Sequence, residues 1–139
     1  MSPAANGVIQ RKLALLDTQL ANLELHLRGV GREQFVADWM LRSMAERALQ
    51  VAAEIVIDVA ERIIALKGAG PVATAVDAVA RLAQLGVIES PKPYADIVRF
   101  RNILVHQYQD VDPGLVFDLA TGRLADFRRF RDEIDRASL

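Results

Sequence analysis

The segment that runs to Lys67 from Gln34 or Asp38 leaves few folds open, because its polar and apolar residues separate cleanly on a helical wheel. Arg47, Gln50, Glu54, Asp58, Glu61 and Arg62 occupy roughly a third of the wheel. Leu41, Ala45, Ala48, Leu49, Ala52, Ile55, Val56, Val59, Ile63 and Leu66 cover most of the rest. An apolar arc that wide can touch two neighbours at once. The segment is therefore expected to be the central helix of a helical domain, stopped by Gly68 and Gly70-Pro71. Its polar stripe has two readings. It is a solvated face, or Glu54 and Asp58, one turn apart, wall a cleft.

The flanking segments also read as helices. Leu13, Leu16, Leu20, Leu23 and Leu27 alternate steps of three and four, giving one apolar seam in a helix over about residues 7–28. Asn6 is its expected cap, residues 1–6 its flexible lead, and Gly29 and Gly31 its end. Thr74 to Asp77 resembles a capping box, opening a short helix that Gly86 closes. Ser90-Pro91 offers a cap and first-turn proline for a helix reaching Gln109. Asp112-Pro113 repeats that signal, Gly122 breaks the segment it opens, and Leu124, Phe127, Phe130 and Ile134 line a last helix. There the arginines 123, 128, 129, 131 and 136 alternate with Asp126, Asp132, Glu133 and Asp135, which favours a solvated face over an RNA-binding patch. No strand pattern, internal repeat or phosphate-binding glycine loop interrupts this series. The expectation is one all-α domain over residues 1–139, a bundle of four to five helices.

Composition removes several function classes. The net charge of −1 argues against a protein that binds nucleic acid through many phosphate contacts, though not against one small basic cleft. There is no cysteine, and the two histidines, His26 and His106, lie far apart, so no metal site is expected. No apolar run reaches membrane-spanning length, and the first ten residues do not form a signal peptide, so a cytoplasmic protein is expected.

The chemistry concentrates in Arg101-Asn102-Ile103-Leu104-Val105-His106-Gln107-Tyr108. Tyr94, Ile97, Val98, Leu104, Val105 and Tyr108 all fall within roughly 60° of Arg101 on the wheel. An arginine keeps its charge at any ordinary pH. Set in an apolar face, it is costly unless a partner or ligand meets it. His106 is five positions on and points roughly 140° away, on the side of Asn102. Each residue alone has an ordinary structural explanation. A helical histidine is usually a satisfied one, an arginine can snorkel or pair with Glu54 or Asp58, and a tyrosine can be a core aromatic. Their combination points to a site that holds a phosphate and moves a proton.

The run Phe100 to Tyr108, followed by Val111-Asp112-Pro113, resembles the HepT-like branch of the HEPN superfamily, whose motif is R-x4-H-x-Y. Glu46-Arg47-Ala48-Leu49-Gln50 with Glu54 and Ile57-Asp58-Val59-Ala60 resembles the family's second helix, and Leu82 to Ile88 its third-helix end. The resemblance covers roughly residues 35–135. It departs from the pattern at Arg62, where many relatives carry histidine.

The resemblance implies a HEPN-type antiparallel bundle that forms a homodimer. It implies a metal-independent endoribonuclease without a cofactor, acting on RNA as the toxin of a toxin–antitoxin pair. The partner implied is a minimal nucleotidyltransferase antitoxin that adenylylates the motif tyrosine. Carried over, Arg101 and His106 are catalytic, Asn102 is supporting, and Tyr108 is the modification site. The chemistry is consistent: histidine suits proton transfer near neutral pH, and arginine offers a planar fork for phosphate. A two-fold dimer would supply two of each across one cleft. Two alternatives remain at this level. One is a non-catalytic HEPN module that binds a nucleotide or a nucleotidyltransferase. The other is a purely structural helical dimer, which leaves Arg101 unexplained.

Overall fold

The computed structural model describes residues 3–106 and 111–137, and all regular structure among them is helical. Seven helices follow in order: α1 (Pro3–Leu27), α2 (Arg32–Ala37), α3 (Trp39–Leu66), α4 (Ala75–Gln84), α5 (Lys92–His106), α6 (Pro113–Gly122) and α7 (Leu124–Arg136).

Local chemistry explains most boundaries. Asp38 ends α2 and caps α3, its carboxylate accepting from the backbone N–H groups of Met40 and Leu41 at 3.0 and 3.1 Å. The long segment therefore begins at Asp38, and residues 32–37 form a helix of their own. Thr74 Oγ1 accepts from Asp77 N at 3.1 Å, and Asp112 Oδ1 from Gly114 N at 2.9 Å. Gly86 closes α4 at φ 76, a conformation that L side chains resist. Arg123 separates α6 from α7 directly after Gly122.

Two boundaries differ from the sequence expectation. α1 starts at Pro3, upstream of Asn6, because Pro3 suits a first turn and Ala4 and Ala5 favour helix. Residues 3–6 thus belong to α1, while residues 1–2 lie outside the described residues. α5 starts at Lys92, and the Pro91 carbonyl, not a Ser90 side chain, receives its first helical bond from Ala95 N at 2.9 Å. Pro93 fits just behind, where a missing N–H costs nothing.

α3 touches all six other helices. Its apolar arc, from Ala45 through Ile55, Val59 and Ile63, is buried by them. The leucine seam of α1, Leu13 through Leu27, packs into the same core and is at most 6% exposed. Burial on that scale is the main stabilising term, about 1.5–3 kcal/mol for each fully buried large aliphatic side chain. The mixed charges of α7 mostly pair. Arg131 bonds Asp17 of α1 at 2.6 Å and also meets Asp135, and Arg128 meets Glu24. Glu133 is the exception to a solvated face, being only 8% exposed. No helix among the described residues is long and apolar enough to cross a membrane.

Candidate active site

α5 enters the core at one end and leaves it at the other. Tyr94, Ala95, Ile97, Val98 and Phe100 are buried; Arg101 and Ile103 to Val105 are partly buried; Asn102 and His106 are exposed. The buried end is tied to α7. Tyr94 packs edge-on to Phe130 at 5.2 Å, and its hydroxyl donates to Glu133 Oε1 at 2.8 Å. Glu133 also accepts from Glu89 N at 2.8 Å and from Arg129 Nε at 3.0 Å. Burial, reinforced by the neighbouring carboxylate, pushes the Tyr94 hydroxyl well above its ordinary pKa. This network was not read from the sequence. Its only local trace is that Glu133 directly precedes Ile134 on an amphipathic helix.

Arg101 emerges where α5 leaves the core and faces the polar stripe of α3. Its side chain is 24% exposed, and its Nη1 lies 3.8 Å from Glu54 Oε1. That distance allows charge attraction but is too long for a hydrogen bond. Arg101 Nε is buried and has no hydrogen-bond partner among the described residues. A buried donor left so costs about 1–3 kcal/mol, which an acceptor brought by a ligand would recover.

These side chains line a cleft of about 410 Å³. Its polar wall is Arg47, Gln50, Glu54, Asp58 and Glu61 of α3, closed by Lys12 of α1 and Arg101 of α5. The spacing of the α3 residues in steps of three and four puts all five on one face. The stripe is therefore a cleft wall along this stretch. Asp58 is engaged from α1, its Oδ2 lying 2.5 Å from Lys12 Nζ and 3.5 Å from Arg62 Nε. Burial works against its charge, but Lys12 and Arg62 outweigh that and hold the carboxyl below its ordinary pKa. Arg62, at the position where relatives carry histidine, thus supports Asp58 and does not line the cleft.

Of the residues selected from sequence, the fold brings Arg101, Glu54 and Asp58 together. Asn102 and His106 do not line that cleft. His106 is the last described residue of α5, about 7.5 Å further along the axis than Arg101. Tyr108 lies outside the described residues. Arg47, Gln50 and Glu61 extend the expected wall along the same stripe, and Lys12 joins it from a different helix. The position of Lys12 follows from how α1 packs on α3, for which no local signal exists.

The arrangement of a cleft arginine, an exposed histidine and an all-helical frame can be compared with known proteins. A family model described as Ribonuclease HepT-like matches residues 16–134. The chain is 30% identical over 131 residues to the mRNA nuclease HepT of Shewanella oneidensis, covering 93% of this chain and 97% of that one. It is 27% identical over 112 residues to the tRNA nuclease HepT of Aphanizomenon flos-aquae, covering 79% and 76%. Among solved structures, the tri-AMPylated Shewanella oneidensis HEPN toxin in complex with MNT antitoxin matches with a TM-score of 0.85 and 27% identity, over 99% of this chain and 100% of that one. The family match spans all of α3 and α5, and the chain belongs to the HepT-like family of the HEPN superfamily.

Proposed function

We propose that this chain is a metal-independent endoribonuclease, the toxin of a toxin–antitoxin pair acting in the cytoplasm. The observation that carries the reading is Arg101, a part-buried cation that lines a cleft and whose buried Nε has no hydrogen-bond partner among the described residues. An RNA phosphodiester supplies the acceptor oxygens such a guanidinium lacks. The two nuclease relatives are named for different RNAs, so the proposed substrate is set at the level of an RNA phosphodiester. Arg101 binds that phosphate and stabilises its developing charge, His106 transfers a proton, and Asn102 supports the exposed side of α5.

The proposed assembly is a homodimer. The apolar arc of α3 is covered by the chain's own helices, so it does not call for a second copy. Toward its last described turn, α5 leaves Ile103, Leu104 and Val105 only partly buried beside His106. A two-fold contact there would bring both motifs to one groove. A nucleotidyltransferase antitoxin is the proposed partner, with Tyr108 as the residue it adenylylates. The structure of the Shewanella toxin, tri-AMPylated and bound to MNT antitoxin, supports the pairing and a modification by AMP, while Tyr108 as its site rests on the motif.

Expression of the chain alone should arrest growth and fragment RNA. Arg101→Ala and His106→Ala should each remove both effects while keeping the helical fold, with rate losses on the order of 10²–10⁴. Excess chelator should leave cleavage unchanged. Undiminished cleavage by a folded His106→Ala protein would sink the assignment. A binding module is the rival reading, and the cleft's three carboxylates favour it, since they offset Lys12, Arg47 and Arg101 and leave little net attraction for a polyanion. It predicts RNA or antitoxin binding without cleavage in the same experiment.

A further inference from the structure

The carboxylates of the cleft need a reason. Cleaving RNA through its own 2′-hydroxyl needs two proton transfers, one from the attacking oxygen and one to the leaving oxygen. The chain offers one histidine on the motif helix. His26 is far from the site, fourteen residues and so roughly 21 Å along α1 from Lys12.

Lys12 of α1 is committed to Asp58 at 2.5 Å, and Asp58 is also held by Arg62. Glu61 lies two turns from Glu54, about 10 Å along α3. Arg47 and Gln50 are not proton acceptors at neutral pH. No other helix supplies a titratable group to the cleft among the described residues. Glu54 remains. Its side chain is half exposed, so a substrate can reach it. Its Oε1 lies 3.8 Å from Arg101 Nη1, near enough to share one phosphodiester with that guanidinium and too far to be tied up by it.

We propose that Glu54 is the proton acceptor of this cleft, taking the 2′-hydroxyl proton while His106 protonates the leaving 5′-oxygen. The proposal rests on the ribonuclease reading above. A phosphate seated on Arg101 brings the 2′-hydroxyl of the preceding nucleotide alongside the same guanidinium, where Glu54 stands. The 2′-O–H proton passes to Glu54, and the freed electron pair forms the O2′–P bond. The P–O5′ bond breaks, and its electron pair takes a proton from the His106 imidazolium. The products are a 2′,3′-cyclic phosphate and a 5′-hydroxyl. Water then returns the proton from Glu54 to the histidine, so the cycle closes without an added reagent. His106 can come from the same chain or from the second copy; Glu54 and Arg101 belong to one chain.

The experiment uses the full-length dimer and an RNA oligonucleotide containing a bond that the wild type cuts. Glu54→Gln keeps the size of the side chain and removes its basicity. At a half-exposed position it should keep the wild-type circular dichroism. Its kcat should fall about 10²–10⁴-fold with little change in KM. The acid limb of the kcat/KM profile should disappear, and Glu54→Asp should keep that limb at a lower rate. A purely structural pairing with Arg101 would not move the limb. The second arm replaces the scissile 5′-oxygen with sulfur, a leaving group that needs no proton. His106→Ala should then recover to within about tenfold of wild type, while Glu54→Gln stays slow. Glu54→Gln activity within about threefold of wild type, or its rescue by the thio substrate, overturns the assignment. A wild type that cuts no RNA overturns the ribonuclease reading itself.

Discussion

Tyr94 and Glu133, thirty-nine residues apart, share a buried hydrogen bond of 2.8 Å that joins α5 to α7. Glu133 collects two further donors, Glu89 N and Arg129 Nε. One carboxylate thus fixes the loop before α5, the start of α5 and the face of α7. Arg101 sits two turns further along the helix that this contact anchors.

Removing the carboxylate should therefore cost more than removing the hydroxyl. Glu133→Ala leaves a buried tyrosine hydroxyl and a backbone N–H without an acceptor, and should destabilise by about 3–5 kcal/mol. Tyr94→Phe leaves Glu133 two donors and should cost only about 1 kcal/mol. The same pair sets an alkaline dependence. The Tyr94 pKa is raised in the folded state, so its contribution is complete below the unfolded value of about 10 and declines as pH rises beyond it. Urea titrations across that range should show wild type losing stability faster than Tyr94→Phe. Parallel curves would mean that the hydroxyl is not held as described.

What the sequence made legible was local. Asp38, Thr74 and Asp112 announce helix starts because a cap acts within three residues, and all three accept the expected backbone donors. The seam of α1 and the arc of α3 are periodic and readable for the same reason. Arg101 stands out because it interrupts such a period. Lys12 and Glu133 carry no local mark, because their roles depend on partners 46 and 39 residues away. The sequence leaves Gln34 and Asp38 both open as the start of the long helix, because one capping aspartate inside a helical run looks like an ordinary surface residue.

The Lys12–Asp58 pair closes one end of the cleft and makes a second, acid-side prediction. The folded pKa of Asp58 is depressed, so its contribution is complete above the unfolded value of about 3.9 and is lost as pH falls through the lower folded one. Both side chains are partly exposed, which limits the gain to about 1 kcal/mol or less. Asp58→Asn should be slightly less stable than wild type at pH 7, and the gap should narrow in high salt. Thermal melts at pH 7 and pH 3 test this; an equal gap at both would remove the ion pair from the account.

Tyr108 follows His106 by two residues and Arg101 by seven. In the proposed pairing with a nucleotidyltransferase, incubation with ATP should add one or more AMP units there. Each brings a negative phosphodiester that competes with RNA for Arg101. Tyr108→Phe keeps the ring but lacks the acceptor oxygen, so it should resist neutralisation. Intact-mass spectrometry separates the outcomes. Equal mass gain by wild type and Tyr108→Phe would place the modification elsewhere.

The last prediction concerns which chain supplies each group. Arg101 lines the cleft with Glu54, while His106, the last described residue of α5, lies outside it and points roughly 140° away. In the proposed homodimer, the histidine that meets a phosphate on Arg101 would then come from the second copy. Mixing Arg101→Ala with His106→Ala distinguishes the two cases, since each homodimer should be inactive. If the groups act across the interface, the heterodimer holds one composite site with both residues intact. Its activity should then approach about half that of wild type, since one of two sites is restored. If both groups act within one chain, neither subunit is complete and mixing restores nothing. Differently tagged subunits, co-expressed and purified through both tags, give the heterodimer directly. A tandem-purified heterodimer that cuts no RNA would assign Arg101 and His106 to the same chain.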